Sequence, residues 1–178
     1  DFLETGGFKT SRTGFGIGTG FEQYSDLFIN LDVSAYYEKL ETSSTASSYK
    51  KKQEGDYLEN LLSYRVTFNK LDQNFQPTDG YKVDFKQVLP IYSDDLSIGN
   101  TINFSKYHSV SDNLILSGKW FFKSVNSIDD DVRVSRRVYI PSSKLRGFET
   151  GKIGPKDGEE YVGGNFGSAI NLNSTLPN

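Results

Sequence analysis

The chain reads as all-β, specifically as part of a transmembrane antiparallel β-barrel. Three observations predict this. Apolar and polar residues alternate with period two along nearly the whole sequence. The alternating segments run to about 11–15 residues, roughly twice a typical soluble strand and long enough for the ~9–11 tilted residues that cross a bilayer. The connections between them are short on one side of the sheet and long on the other, the asymmetry of outer-membrane barrels.

Seven segments carry the pattern. Over 13–23, Phe15, Ile17 and Phe21 alternate with Gly14, Gly16, Gly18 and Gly20. Over 26–40, Leu27, Ile29, Leu31, Val33, Ala35 and Tyr37 oppose Asn30, Asp32, Ser34 and Glu38. In 57–70 the apolar face is Leu58, Leu62, Tyr64, Val66 and Phe68, interrupted by Asn60. The segments 80–92, 96–108 and 113–125 repeat the theme, with Phe85, Phe104 and Trp120 set against Lys82 and Asp84, Asn103, and Lys119. The last, 162–176, places Ile170, Leu172 and Leu176 opposite Asn165, Asn171 and Asn173. In the inside-out arrangement of a membrane barrel, Asp32, Arg65, Lys82, Asp84 and Lys119 face the lumen, and Leu62, Val66, Phe85 and Trp120 face lipid.

The connections 24–25, 71–79 and 109–112 fall on one side, and 41–56, 93–95 and 126–161 on the other. The first set is assigned to the periplasm and the second to the exterior. Within 71–79, Asp72 and Pro77-Thr78-Asp79-Gly80 are turn chemistry, because Pro presets φ and Gly accepts positive φ. Seven strands leave two open edges, which lipid does not tolerate. The chain is therefore expected to be a middle section of one barrel domain, with further strands outside residues 1–178.

Composition sharpens the exclusions. The 178 residues contain no Cys, so disulfide scaffolds, zinc ribbons and thiol catalysis are out. A net charge of −3 argues against nucleic-acid binding, which needs a basic footprint. The hydrophobic share of 35% fits strands in which every second residue meets lipid, and 13 Phe and 11 Tyr supply interfacial girdles. No catalytic, cofactor or metal motif stands out, and no enzymatic role is expected. The Gly14–Gly20 run has period two and no following helix, unlike a phosphate-binding loop; it reads as inward glycines that leave room inside the barrel. His108 is the sole histidine and reads as a strand-end residue. Asp129-Asp130-Asp131 and Lys50-Lys51-Lys52 read as solvated loops, with divalent-cation binding and contact with lipopolysaccharide, respectively, as the sharper alternatives.

The connection 126–161 is too long to be idle. It carries Leu145-Arg146-Gly147-Phe148 and Ile153-Gly154-Pro155, and Gly163-Gly164-Asn165 follows it. Taken alone, Arg146 reads as a surface arginine. The three motifs in this order, however, resemble the region of the sixth extracellular loop in BamA-type assembly factors of the bacterial surface-antigen family. The stretch Asp72…Pro77-Thr78-Asp79-Gly80 is similar to a periplasmic turn of the same family. The resemblance spans essentially the whole chain and places it at strands six to twelve of a sixteen-stranded barrel.

The resemblance implies a loop folded into the lumen, with Arg146 locked against the inner wall. Relatives often carry a glutamate where Asn173 stands; Asn171, Asn173 or an acid outside this chain would then receive Arg146. It further implies a factor that folds and inserts outer-membrane β-barrel proteins. Its partners would be nascent barrels, membrane lipid and lipopolysaccharide, with accessory lipoproteins binding POTRA domains that are not in this chain. The seam through which such factors open is also absent. A translocation relative of the autotransporter-assembly or two-partner-secretion type, a passive porin and a soluble lipid-binding barrel are the alternatives.

Overall fold

The structure, a computed structural model, describes residues 2–5 (backbone only), 7–111, 113–129, 131–149 and 151–175. Asp130, at the centre of the aspartate run, and Leu176, the last apolar residue of the predicted final strand, lie outside the described residues.

All seven predicted strands are present: β2 (Phe8–Tyr24), β3 (Leu27–Thr42), β4 (Gly55–Leu71), β5 (Gly80–Ser93), β6 (Ser97–Ser111), β7 (Leu114–Ser127) and β10 (Phe166–Thr175). A short β1 (Phe2–Thr5) adds an eighth, pairing with Phe8–Ser11 of β2. Sequence reading misses β1 because four residues hold too little of a period. The strands form one antiparallel sheet in the order β1-β2-β3-β4-β5-β6-β7-β10, in which β10 does not return to β1. Six strands have 14 to 17 residues and β10 has 10.

The long connections hold structure that alternation cannot reveal. Residues 43–54 contain a one-turn helix, α1 (Ser48–Lys51), and the segment after β7 contains a 3₁₀ turn at Ser142–Lys144 and a hairpin, β8 (Lys156–Asp157) with β9 (Glu160–Tyr161). Both lie on the same side of the sheet as the β5–β6 connection.

Register assigns the two faces. Asp32, Ser63, Val88 and Gly99 are consecutive partners across β3 to β6, and line one cavity with Ser135 and Arg136 of the long loop. That face, covered by the loop, is the inner wall. Arg65 and Asp84 pair on it at 3.7 Å, and strand alternation adds Lys82 and Lys119. Leu62, Val66, Phe85 and Trp120 lie on the opposite face, with the largely exposed Phe15, Ile17, Ile170 and Leu172. The glycines of β2 lie on the inner face, but the space beside Gly14 and Gly20 is taken by β3. A Cβ on Gly14 would run into Tyr36 and Ala35, and one on Gly20 into Asn30.

The inner face turns apolar toward the loop side. Phe8, Leu40 and Val134 form one buried cluster and Val125, Val132 and Val138 another. Where the loop seats, the inner wall meets protein instead of water, so the barrel's usual inside-out polarity reverses locally.

Candidate functional site: the loop clasp on the inner wall

Segment 131–139 carries Val132, Val134 and Val138 among Arg133, Arg136 and Arg137, and lies along the inner wall. The valines enter the apolar clusters, which carries the arginines down to the wall. There Glu38 of β3 and Glu59 of β4 wait, both fully buried. The two glutamates are near neighbours, since Tyr36 partners Glu59 and Glu38 partners Tyr57 across the β3–β4 ladder.

Six groups close this network around the two glutamates. Arg133, 4% exposed, donates from Nη2 to Glu59 Oε1, and Arg136 Nη2 donates to Glu59 Oε2 at 2.5 Å. Ser93 Oγ donates to the same Oε2 at 2.8 Å. Arg12 Nε donates to Glu38 Oε2 at 2.6 Å, and Arg133 Nε lies 3.7 Å from Glu38 Oε1 and 3.8 Å from Asp95 Oδ2. The Arg133 guanidinium also stacks on Tyr57, 3.9 Å from the ring centroid, which adds a cation–π attraction. Ser93 reaches the inner face because a register shift opposite Asn60 and Leu61 leaves Ile91 unpaired, reversing the side-chain alternation.

Arg137 serves the second half of the clasp. It donates to Asp131 Oδ2 at 2.7 Å and to the carbonyls of Val132 and Gly163, and stacks on Tyr49 of α1. Tyr49 Oη donates to the same Asp131 carboxylate. Lys50, expected in solvent, is instead fully buried and donates to Glu160 Oε2 at 2.9 Å, with Ser47 N on the same oxygen. Burial works against the charge on Glu160, but the bonds from Lys50 and Ser47 prevail and hold its carboxyl below the usual range. Burial of Tyr139, beside Gly163, pushes its phenol up to about 12.

The motifs singled out in the sequence take different places. Gly163 has φ +71 and Gly164 pairs with Val138 by two backbone bonds, while Asn165 O accepts from Val125 N at 2.7 Å. This Gly-Gly-Asn run therefore zips the loop's return onto both Val138 and β7. Pro155 O accepts from Val162 N, so Ile153-Gly154-Pro155 leads into the β8–β9 hairpin; Ile153 is half-buried and Gly154 exposed at φ +120.

Leu145 is half-buried after the 3₁₀ turn, and Gly147 takes φ +85. Arg146 is exposed, and among the described residues it forms no hydrogen bond or ion pair. Phe148 is 56% exposed. The expected contact of Arg146 with Asn171 or Asn173 does not form. Asn171 Nδ2 instead donates to Lys144 O at 2.9 Å, and Lys144 Nζ donates to Asn103 Oδ1 at 3.2 Å. Asn173 is exposed and makes no hydrogen bond to the loop among the described residues. The turn is anchored to the wall two residues earlier, through Lys144.

At the opposite end, Asp72 organises its turn. Its carboxylate accepts from Thr78 N, Thr78 Oγ1 and Asp79 N, while Pro77 follows Gln76 at φ +51 and Gly80 takes φ +95. The Thr78 hydroxyl and then the amides of Asp79, Thr78 and Gln73 hold the Asp72 carboxyl below its usual value, against partial desolvation. His108 is exposed, 3.9 Å from Asp79.

Fold and site together define a class: a segment of β-barrel wall whose inner face is filled by its own long loop. The Omp85 superfamily domain model matches residues 3–172, and the chain belongs to that superfamily of β-barrels of the Gram-negative outer membrane. It is 28% identical over 172 residues to the outer membrane protein assembly factor BamA of Neorickettsia risticii (strain Illinois), covering 89% of this chain and 22% of that protein. It is 29% identical over 145 residues to the factor of the same name from Nitratidesulfovibrio vulgaris, covering 76% and 18%. The chain thus spans about a fifth of the length of these relatives. The crystal structure of BamA from Haemophilus ducreyi lacking POTRA domains 1–3 superposes with a TM-score of 0.84 at 20% identity, covering 96% of this chain and 38% of that one.

Proposed function

We propose that the chain is the back wall and inner loop of a factor that folds β-barrel proteins and inserts them into the outer membrane. The observation that carries this is the clasped inner loop in a chain similar, at 28% and 29% identity, to proteins named outer membrane protein assembly factor BamA. A passive pore would gain nothing from an arginine–glutamate clasp that fills its lumen. Here the clasp makes the wall and loop a single rigid body, against which strands elsewhere in the barrel can open and reclose.

The role is mechanical, with no covalent step. Nascent outer-membrane barrels are the substrates. Accessory lipoproteins bind periplasmic domains beyond these residues, and lipid and lipopolysaccharide surround the outward face. Arg146, exposed on its turn, meets a carboxylate of the wall contributed from outside residues 1–178.

The test is complementation. Cells depleted of their own assembly factor receive the full-length protein, and the outer-membrane levels of unrelated barrels are measured. Restored levels support the role; persistent loss of barrels, with the protein itself inserted and folded, overturns it.

A further inference from the structure

Beneath the loop the inner wall holds a half-open cavity of about 360 Å³ lined by β2 to β7 and by Ser135 and Arg136 of the loop. Its charged lining is Arg12, Lys86, Lys123 and Arg136, against one acid, Asp32. Arg12 is matched by Glu38, and Arg136 uses Nη2 on Glu59. The Nε of Arg136 remains buried with no acceptor among the described residues. Lys86 and Lys123 have no carboxylate or carbonyl partner among them either, and Asp32 makes no ion pair there.

The two lysines share one cross-strand row, Lys86–Thr101–Lys123, with the threonine between them. Two strand spacings separate their Cα atoms, about 10 Å, a gap that two lysine side chains can close around one small ligand. At the loop end of the cavity Ser97, 2% exposed, also keeps its Oγ without a partner. A buried hydroxyl, a buried guanidinium N–H and two unmatched ammonium groups around one void form a surface rich in donors, with Asp32 as its one carboxylate. Such groups are costly to bury unless an acceptor meets them, and charge-assisted bonds to an oxyanion are the strong way to do so.

We propose that this cavity is an oxyanion site, taking a phosphate-sized anion or a free carboxylate between Lys86, Lys123 and Arg136. Lys86 and Lys123 belong to the wall and Arg136 to the loop, so the bound anion fastens one to the other and its occupancy sets how firmly the loop sits.

The test uses the full-length protein in bilayer nanodiscs, titrated with inorganic phosphate or acetate against chloride at equal ionic strength, reading the barrel's thermal unfolding. Phosphate, acetate or both raise the unfolding temperature over chloride, the two arms distinguishing a tetrahedral anion from a carboxylate. Lys86→Gln and Lys123→Gln each weaken the response about tenfold, the loss of one charge-assisted bond. Both fold at least as stably as the parent in chloride, because a like-charge contact is relieved. Should the paired glutamine variant not fold, Lys86→Arg with Lys123→Arg keeps the charges and retains the response. An anion response that survives the loss of both lysine charges, or none at millimolar phosphate and acetate, overturns the proposal.

Discussion

Arg133 Nη2 and Glu59 Oε1 form a hydrogen-bonded ion pair with both side chains almost wholly out of solvent, one on the loop and one on β4. Seventy-four residues separate them in sequence. Glu59 binds a second arginine, Arg136, and Ser93, so one carboxylate gathers three donors from two elements. Removing one member of a buried pair strands the other, at about 3–5 kcal/mol. Glu59→Ala is therefore expected to lower the full-length barrel's unfolding temperature more than Arg136→Ala, because it takes the hydrogen-bonded carboxylate from both Arg136 and Arg133. Heat-modifiability on gels reads the difference directly.

Gly163 and Gly147 both have positive φ, but only one is crowded. A Cβ on Gly163 would come within 2.9 Å of the Tyr139 ring, whereas one on Gly147 would meet nothing within 4 Å. Gly163→Ala should cost about 2 kcal/mol or more through strain and clash, and Gly147→Ala about 1 kcal/mol through backbone strain alone. Loop protection from protease, compared between the two, gives the order.

Much of this architecture is legible in the sequence, and what is not has physical causes. Period two marks every strand that meets lipid on one side and water on the other. It fails where the loop lies on the wall, because there the inner face carries Phe8, Leu40 and Leu61. This is why β2 is read from 13 and not from Phe8. The clasp is hard to see in the sequence for a related reason: Glu38 and Glu59 look like ordinary polar-face residues until something buries them. A signal was available in Val132-Arg133-Val134, a strand-like alternation inside a loop, followed by two more arginines. Arg146 is the converse, a residue prominent by motif that stays exposed and makes no hydrogen bond or ion pair among the described residues.

The two faces can be tested by single cysteines in the otherwise cysteine-free chain. Positions 32, 65, 82, 84 and 119 are expected to react with a lumen-accessible, membrane-impermeant reagent, and positions 62, 66, 85 and 120 to be protected by lipid. The opposite pattern would place the apolar face inward.

The Asp72 turn gives a pH dependence of known sign. Its carboxyl lies below the usual value when folded, so the turn contributes stability above the unfolded pKa, near about 3.9, and loses it as pH falls through the lower folded value. Glu160, also lowered, acts in the same direction. Asp72→Asn should flatten the acid limb of the unfolding-temperature profile; an unchanged limb would show that the turn is not titrating.

Arg146→Ala should leave the clasp itself in place, because its contacts run through Lys144, Arg133 and Arg136. It should still impair assembly of other outer-membrane barrels. Normal barrel levels with Arg146→Ala would remove this residue from the account.

The most direct test of the central claim is client folding in proteoliposomes. The full-length protein, and its Glu59→Gln variant, are reconstituted at equal density, and the folding rate of an added unfolded barrel protein is followed by its heat-resistant gel shift. Clear acceleration over empty liposomes by the parent, and a marked loss with the clasp broken, are expected. A parent that folds clients no faster than bare lipid, or a Glu59→Gln variant indistinguishable from it, would contradict a clasped wall working in barrel assembly.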